Sequence, residues 1–115
     1  MATPLHVLIL EDNPSDAELA VIELRRAGYD PIADRVDSEQ DYRAHLQPAP
    51  ELILADYKMP EFDSLRALEI LQESHLNIPF IIVSGTIGEE GAVYAMTQNI
   101  GGSGSNIITH ILHAS

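Results

Sequence analysis

Short aliphatic runs alternate with amphipathic stretches along this chain. Val7-Leu8-Ile9-Leu10, Leu52-Ile53-Leu54-Ala55 and Phe80-Ile81-Ile82-Val83 carry no charge, as expected of strands buried on both faces of a parallel sheet. Residues 6–10 read as the first strand and a weaker strand falls near residues 31–36. Residues 52–55 and 80–83 supply the third and fourth. Between them lie helical signals. Asn13 reads as an N-cap with Pro14 at the first helical position and Asp16 in the first turn. Leu19, Val21 and Ile22 give that helix an apolar side, Arg25 and Arg26 suit its C-terminal dipole, and Gly28 ends it. Ser38 with Asp41 opens a second helix, which Pro48 and Pro50 bound. Asp63 or Ser64 caps a third, with Leu65, Leu68 and Leu71 as its core side. Glu89 and Glu90 open a fourth that runs to about Gln98.

The resulting order, β-α-β-α-β-α-β-α, predicts an α/β domain around a parallel sheet. After residue 98 the text changes. Gly101-Gly102-Ser103-Gly104-Ser105 is linker-like, and Ile107, Ile108, Ile111 and Leu112 form one last apolar patch, either a short fifth strand or a helical turn. The division expected is therefore a core over residues 1–98 and an atypical tail over 99–115.

Length and charge narrow the function. A chain of 115 residues holds one domain with one core. A formal net charge of −12 disfavours nucleic acid and anionic membrane as direct partners, although solubility alone also accounts for it. Cysteine is absent, which excludes disulfides, thiolate zinc sites and thiol nucleophiles. No apolar stretch approaches the roughly 20 residues of a membrane span, and no signal-like N-terminus is present. A cytoplasmic domain with no membrane partner is expected.

The candidate chemistry sits at strand ends. The first strand runs into Glu11 and Asp12, and the third into Asp56. In open α/β sheets, sites form beyond the carboxyl ends of strands where the strand order reverses. With the first and third strands as neighbours, these acids face one crevice. Unit charges about 4 Å apart repel by about 4 kcal/mol at an effective dielectric of 20. A hard cation relieves that repulsion, and oxygen ligands suit Mg²⁺. Each acid alone also reads as a solvated loop residue, Glu11 most readily and Asp56 least. Ser84, followed by Gly85, ends the fourth strand with a hydroxyl able to contact an oxyanion, or simply to begin a turn.

Glu11-Asp12, Asp56 with Lys58-Met59-Pro60, and Val83-Ser84-Gly85-Thr86 together resemble a bacterial two-component response-regulator receiver domain. The likeness runs from about His6 to Gln98 and is nearest to receivers found with sensory histidine kinases. It implies the doubly wound, flavodoxin-like fold with sheet order 2-1-3-4-5. Asp56 then resembles the phosphoryl acceptor, served by a histidine kinase or a histidine phosphotransfer protein. Asp12 resembles the main Mg²⁺ ligand, with Glu11, Asp56 and the Lys58 backbone carbonyl as further ligands. Ser84 resembles the hydroxyl that contacts the phosphoryl group. The implied role is a signalling acceptor, not an enzyme.

The tail departs from that pattern. Receivers end the fifth strand with a lysine, but Lys58 is the one lysine here and no lysine or arginine follows Arg66. The change at residue 99 is abrupt, which fits an altered or replaced end better than natural degeneration. His110 and His113 are the remaining candidate cations, and a tail histidine is more often simply exposed. The last helix of the fold is also missing or cut short. The edge of the fourth strand is then expected to pair with residues of about 106–112, or with a second chain as a homodimer. Where receivers tend to have glycine before the third helix, this chain has Ser64, a minor change if the backbone there is not left-handed.

Three other readings stand beside the acceptor. A receiver whose chemistry has lapsed would act as a phosphorylation-independent interaction or dimerisation module. A haloacid-dehalogenase-like phosphohydrolase needs an acid two residues after its nucleophile, where Lys58 stands. A flavodoxin-like cofactor binder needs a phosphate-cradling glycine loop after the first strand, and none is present.

Overall fold

The computed structural model describes residues 2–56, 59, 61–84 and 108–113, with residues 83, 84 and 108–113 described by their backbone. Five strands and three helices fall within that set: β1 (Thr3–Leu10), α1 (Pro14–Arg26), β2 (Tyr29–Val36), α2 (Glu39–Ala44), β3 (Leu52–Asp56), α3 (Ser64–Glu73), β4 (Phe80–Ser84) and β5 (Ile108–His113). All pairings are parallel and the sheet order is β2-β1-β3-β4-β5, the doubly wound order expected. The helix expected over residues 89–98 lies outside the described residues.

Alternation along the strands sorts the core into two layers. Leu8, Leu10, Ile53, Ala55, Phe80 and Ile82 face one side, where α2 and α3 pack. Val7, Ile9, Leu52, Leu54 and Ile81 face the other, against Ala17, Ala20 and Leu24 of α1. Burial on both faces explains the uninterrupted apolar runs.

Local signals set the helix starts. The Asn13 side chain accepts from the Ser15 amide at 2.9 Å, with Pro14 opening α1 and Arg25 and Arg26 in its last turn. Gly28 follows the helix at φ +99°, and nothing within 4 Å would obstruct a Cβ there, so backbone conformation alone favours glycine. The Ser38 hydroxyl accepts from the Asp41 amide at 3.2 Å at the start of α2. Asp63, not Ser64, caps α3, accepting from the Leu65 amide at 2.9 Å. Ser64 does not have positive φ, so its replacement of glycine leaves the backbone ordinary.

Two expected core positions are corrected. Leu19 is 39% exposed, and α1 instead seats Ala17, Ala20 and Leu24 on the sheet. These lie three and seven residues apart, one face of a helix, and the small alanines let the helix approach closely. Leu65 is 49% exposed, while Ala67, Leu68, Ile70 and Leu71 form the buried stripe of α3. Between the two helices, Tyr42 of α2 is fully buried, donates its hydroxyl to the Ala67 carbonyl at 2.8 Å, and meets the Phe62 ring at 5.4 Å between centroids.

The last apolar patch is a strand. Residues 108–113 pair with β4 in the register Phe80↔Ile108, Ile82↔Ile111, Val83↔Leu112 and Ser84↔His113. Two steps on β4 oppose three on β5, an irregularity of the bulge type that places one extra residue on the edge strand.

Candidate functional site

The strand order reverses between β1 and β3, and there the chain brings its acids together. Leu10 pairs with Ala55, so the next residues, Glu11 just after β1 and Asp56 at the end of β3, stand side by side. One carboxylate oxygen each from Glu11, Asp12 and Asp56 lies within 4.8 Å of the others. They form one group at the carboxyl edge, as their sequence positions predict. Glu11 is buried at 3% exposure, Asp56 is half-buried, and Asp12 is exposed.

The turn from β1 into α1 is held at several points. The Glu11 amide donates to the Val36 carbonyl of β2 at 3.0 Å, and the Arg35 guanidinium donates to the Glu11 carbonyl at 3.0 Å. One Glu11 carboxylate oxygen accepts from the Asn13 amide at 3.2 Å. Asn13 in turn caps α1, so one short segment both starts the helix and aims the acids.

Burial pushes the Glu11 carboxyl up from 4.5 to about 8. The Asn13 amide opposes this by bonding the carboxylate, while contacts with Asp12 and the charge and contact of Asp56 add to the rise. Three ionised groups at 4.8 Å would repel pairwise by about 3–4 kcal/mol at an effective dielectric of 20. Without a cation, Glu11 therefore keeps its proton near neutral pH. The donor set is all oxygen, partly exposed and clustered, which fits a hard divalent cation that retains some of its water. Beside it opens a cavity of about 140 Å³ lined by Asp12, Asp37, Met59 and Glu61.

The remaining expected site residues are placed less fully. Ser84 ends β4, one residue beyond Val83, the partner of Asp56, and stands opposite His113 of β5. Lys58 lies outside the described residues. Arg35, Asp37 and Glu61 were not among the expected residues. The opposite charges of Arg35 and Asp37 at i and i+2 are the sequence signal that could have marked the first two, and in the structure guanidinium and carboxylate lie 3.7 Å apart.

Comparison with known proteins agrees with this geometry. Residues 7–103 match the response regulator receiver domain family, and the chain belongs to it. It is 31% identical over 90 residues to the chemotaxis protein CheY of Treponema pallidum, spanning 76% of this chain and 62% of that protein. It is 30% identical over 80 residues to the DNA-binding dual master transcriptional regulator RpaA of Synechocystis, spanning 68% of this chain and 33% of the regulator. The chain thus spans about a third to three-fifths of the length of these relatives. Among solved structures, the Mn²⁺-bound form of response regulator Rcp1 superposes with a TM-score of 0.66 at 25% identity, covering 97% of this chain and 82% of that one. No helix among the described residues is long and apolar enough to cross a membrane.

Proposed function

We propose that this receiver domain accepts a phosphoryl group on Asp56 from a phosphohistidine of a histidine kinase or phosphotransfer protein. The observation that carries the reading is the convergence of Glu11, Asp12 and Asp56 at the switch point of the sheet. An Asp56 carboxylate oxygen attacks phosphorus in line, the P–N bond breaks, and the imidazole leaves with the electron pair. Catalysis in such a transfer is positioning and charge stabilisation.

Glu11, Asp12 and Asp56, with the Lys58 carbonyl, are the groups that would hold Mg²⁺. When bound, that ion neutralises charge on the phosphoryl oxygens. The chain's own contribution is orientation: β3 presents Asp56 and the β1–α1 turn presents Glu11 and Asp12, while Ser84, at the end of β4, is the residue whose hydroxyl would contact the phosphoryl group. The dianionic product then biases the loops that follow β3 and β4.

The test is intact-mass spectrometry after incubation with a small phosphodonor, with and without Mg²⁺. A gain of about 80 Da, one phosphoryl group, that requires Mg²⁺ and disappears in Asp56→Asn supports the reading. No gain under any condition refutes it.

A second reading is favoured by one observation, the absence of any lysine or arginine after Arg66. Loss of a fixed charge at a developing oxyanion typically costs about 10²–10³ in rate. In this reading the domain binds its partner independently of phosphorylation. Partner affinity unchanged by Mg²⁺, phosphodonor and Asp56→Asn would distinguish it.

A further inference from the structure

Glu11 is tied to β2 through both of its main-chain polar groups. Its amide donates to the Val36 carbonyl and its carbonyl accepts from Arg35 Nη1, each at 3.0 Å. The first is an ordinary sheet-edge bond. The second is not, because it reaches from a side chain 24 residues away to a carbonyl that the strand ladder has left behind. The guanidinium is itself steered by Asp37, whose carboxylate lies 3.7 Å away and lines the cavity beside Asp12.

That carbonyl belongs to the peptide joining Glu11 to Asp12. Rotation of this peptide swings the Asp12 carboxylate relative to Asp56, while the Asn13 cap fixes the chain one residue further on. Among the anchors described on this turn, the Arg35 contact is the one made by a cationic side chain from another strand, and charge-assisted bonds are about twice as strong as neutral ones.

We infer that Arg35 is a positioning residue for the divalent-cation site, holding the Glu11–Asp12 peptide so that its carboxylates converge with Asp56. The proposal rests on the reading of Glu11, Asp12 and Asp56 as a cation site. Arg35 touches neither the cation nor the phosphoryl group; it acts through the Glu11 carbonyl. Outer groups that orient metal ligands typically change metal affinity about 10- to 100-fold when removed.

The experiment is a Mg²⁺ titration of the wild-type chain, Arg35→Gln and Arg35→Lys, followed by the amide resonances of Asp12 and Asn13 in ¹H–¹⁵N correlation spectra. Melting curves without metal accompany each titration. The expected result is a loss of Mg²⁺ affinity of about 10-fold or more in Arg35→Gln, with partial recovery in Arg35→Lys, which keeps a charged donor. The metal-free melting temperatures should stay within a few degrees of one another. Wild-type affinity in Arg35→Gln overturns the proposal, even if its melting temperature falls, because that pattern describes a merely structural contact. If Arg35→Gln does not fold, Arg35→Lys decides: a measurable affinity loss supports the proposal, and wild-type affinity overturns it. Failure of the wild-type chain to bind Mg²⁺ is a separate outcome and overturns the cation-site reading together with the proposal.

Discussion

Replacing Glu11 with glutamine should remove from the metal-free protein one contribution that lowers stability as pH rises, opposite in sign to that of most native carboxylates. Glu11 is 3% exposed and its carboxyl is raised from 4.5 to about 8 by burial and by Asp12 and Asp56. Below pH 4.5 the group is protonated in both the folded and the unfolded chain and contributes no difference. As pH rises through 4.5, the unfolded chain releases this proton and the folded chain keeps it. The unfolded state gains, and stability falls until about pH 8, above which the loss is complete. Each pH unit in that window is worth about 1.4 kcal/mol, so this group removes about 2–3 kcal/mol between pH 5 and pH 7. Glutamine keeps an oxygen for the Asn13 amide and has no proton to release. Urea unfolding of wild type and Glu11→Gln at several pH values, without divalent cations, isolates the term as a difference. The variant should gain about 2–3 kcal/mol relative to wild type over that interval. Saturating Mg²⁺ should shrink the gain, because a cation favours the ionised carboxylate. A difference that is flat with pH, or that shrinks as pH rises, would show that Glu11 does not hold its proton in the folded state.

Other expectations concern packing and metal binding. Ser64 is 1% exposed and its hydroxyl has no hydrogen-bond partner among the described residues, so Ser64→Ala should stabilise the fold by about 1 kcal/mol in denaturant unfolding. Tyr42→Phe removes the bond to the Ala67 carbonyl and should cost about 1 kcal/mol by the same assay. The placement of α1 is tested by a pair: Leu19→Gln should change stability by less than about 0.5 kcal/mol. Ala20→Leu, which overfills the contact with the sheet, should cost about 1–3 kcal/mol. Mg²⁺ at ten times its dissociation constant should stabilise wild type by about 1.4 kcal/mol, and Asp12→Asn should abolish that thermal shift.

The parts legible in the sequence are those written in local chemistry. Runs such as Ile9-Leu10 and Ile53-Leu54 announce strands buried on both faces, and Asn13-Pro14 announces a helix start. Asp56 was readable because an acid directly after four buried residues has few places to go other than the switch-point crevice. What eluded pattern reading depends on distance in sequence. Leu19 outranks Ala20 in hydrophobicity, yet the sheet accepts the smaller residue, since close approach of the helix decides which face is buried. Leu65 misled for a related reason, since the stripe of α3 is set by Ala67, Leu68 and Leu71 against the sheet. Glu11 reads as readily solvated as ligating, yet it is 3% exposed, and β2 ties its main chain through Val36 and Arg35, contacts between residues 24 and 25 positions apart in sequence. The partner of Arg35 is a backbone carbonyl, a group that no residue pattern displays. The extra residue in β5 was likewise invisible, because a bulge is a property of the pairing and not of either strand alone.

Uptake of the phosphoryl group on Asp56 is open to direct test. The most direct measurement is to incubate the chain with a cognate phosphohistidine donor or a small phosphodonor and Mg²⁺, reduce the product with borohydride, and locate the altered residue by peptide sequencing in the mass spectrometer. Conversion at position 56, dependent on Mg²⁺ and absent from Asp56→Asn, is the predicted result. Modification at any other residue, or an unmodified Asp56 in a folded protein that binds Mg²⁺, would contradict it.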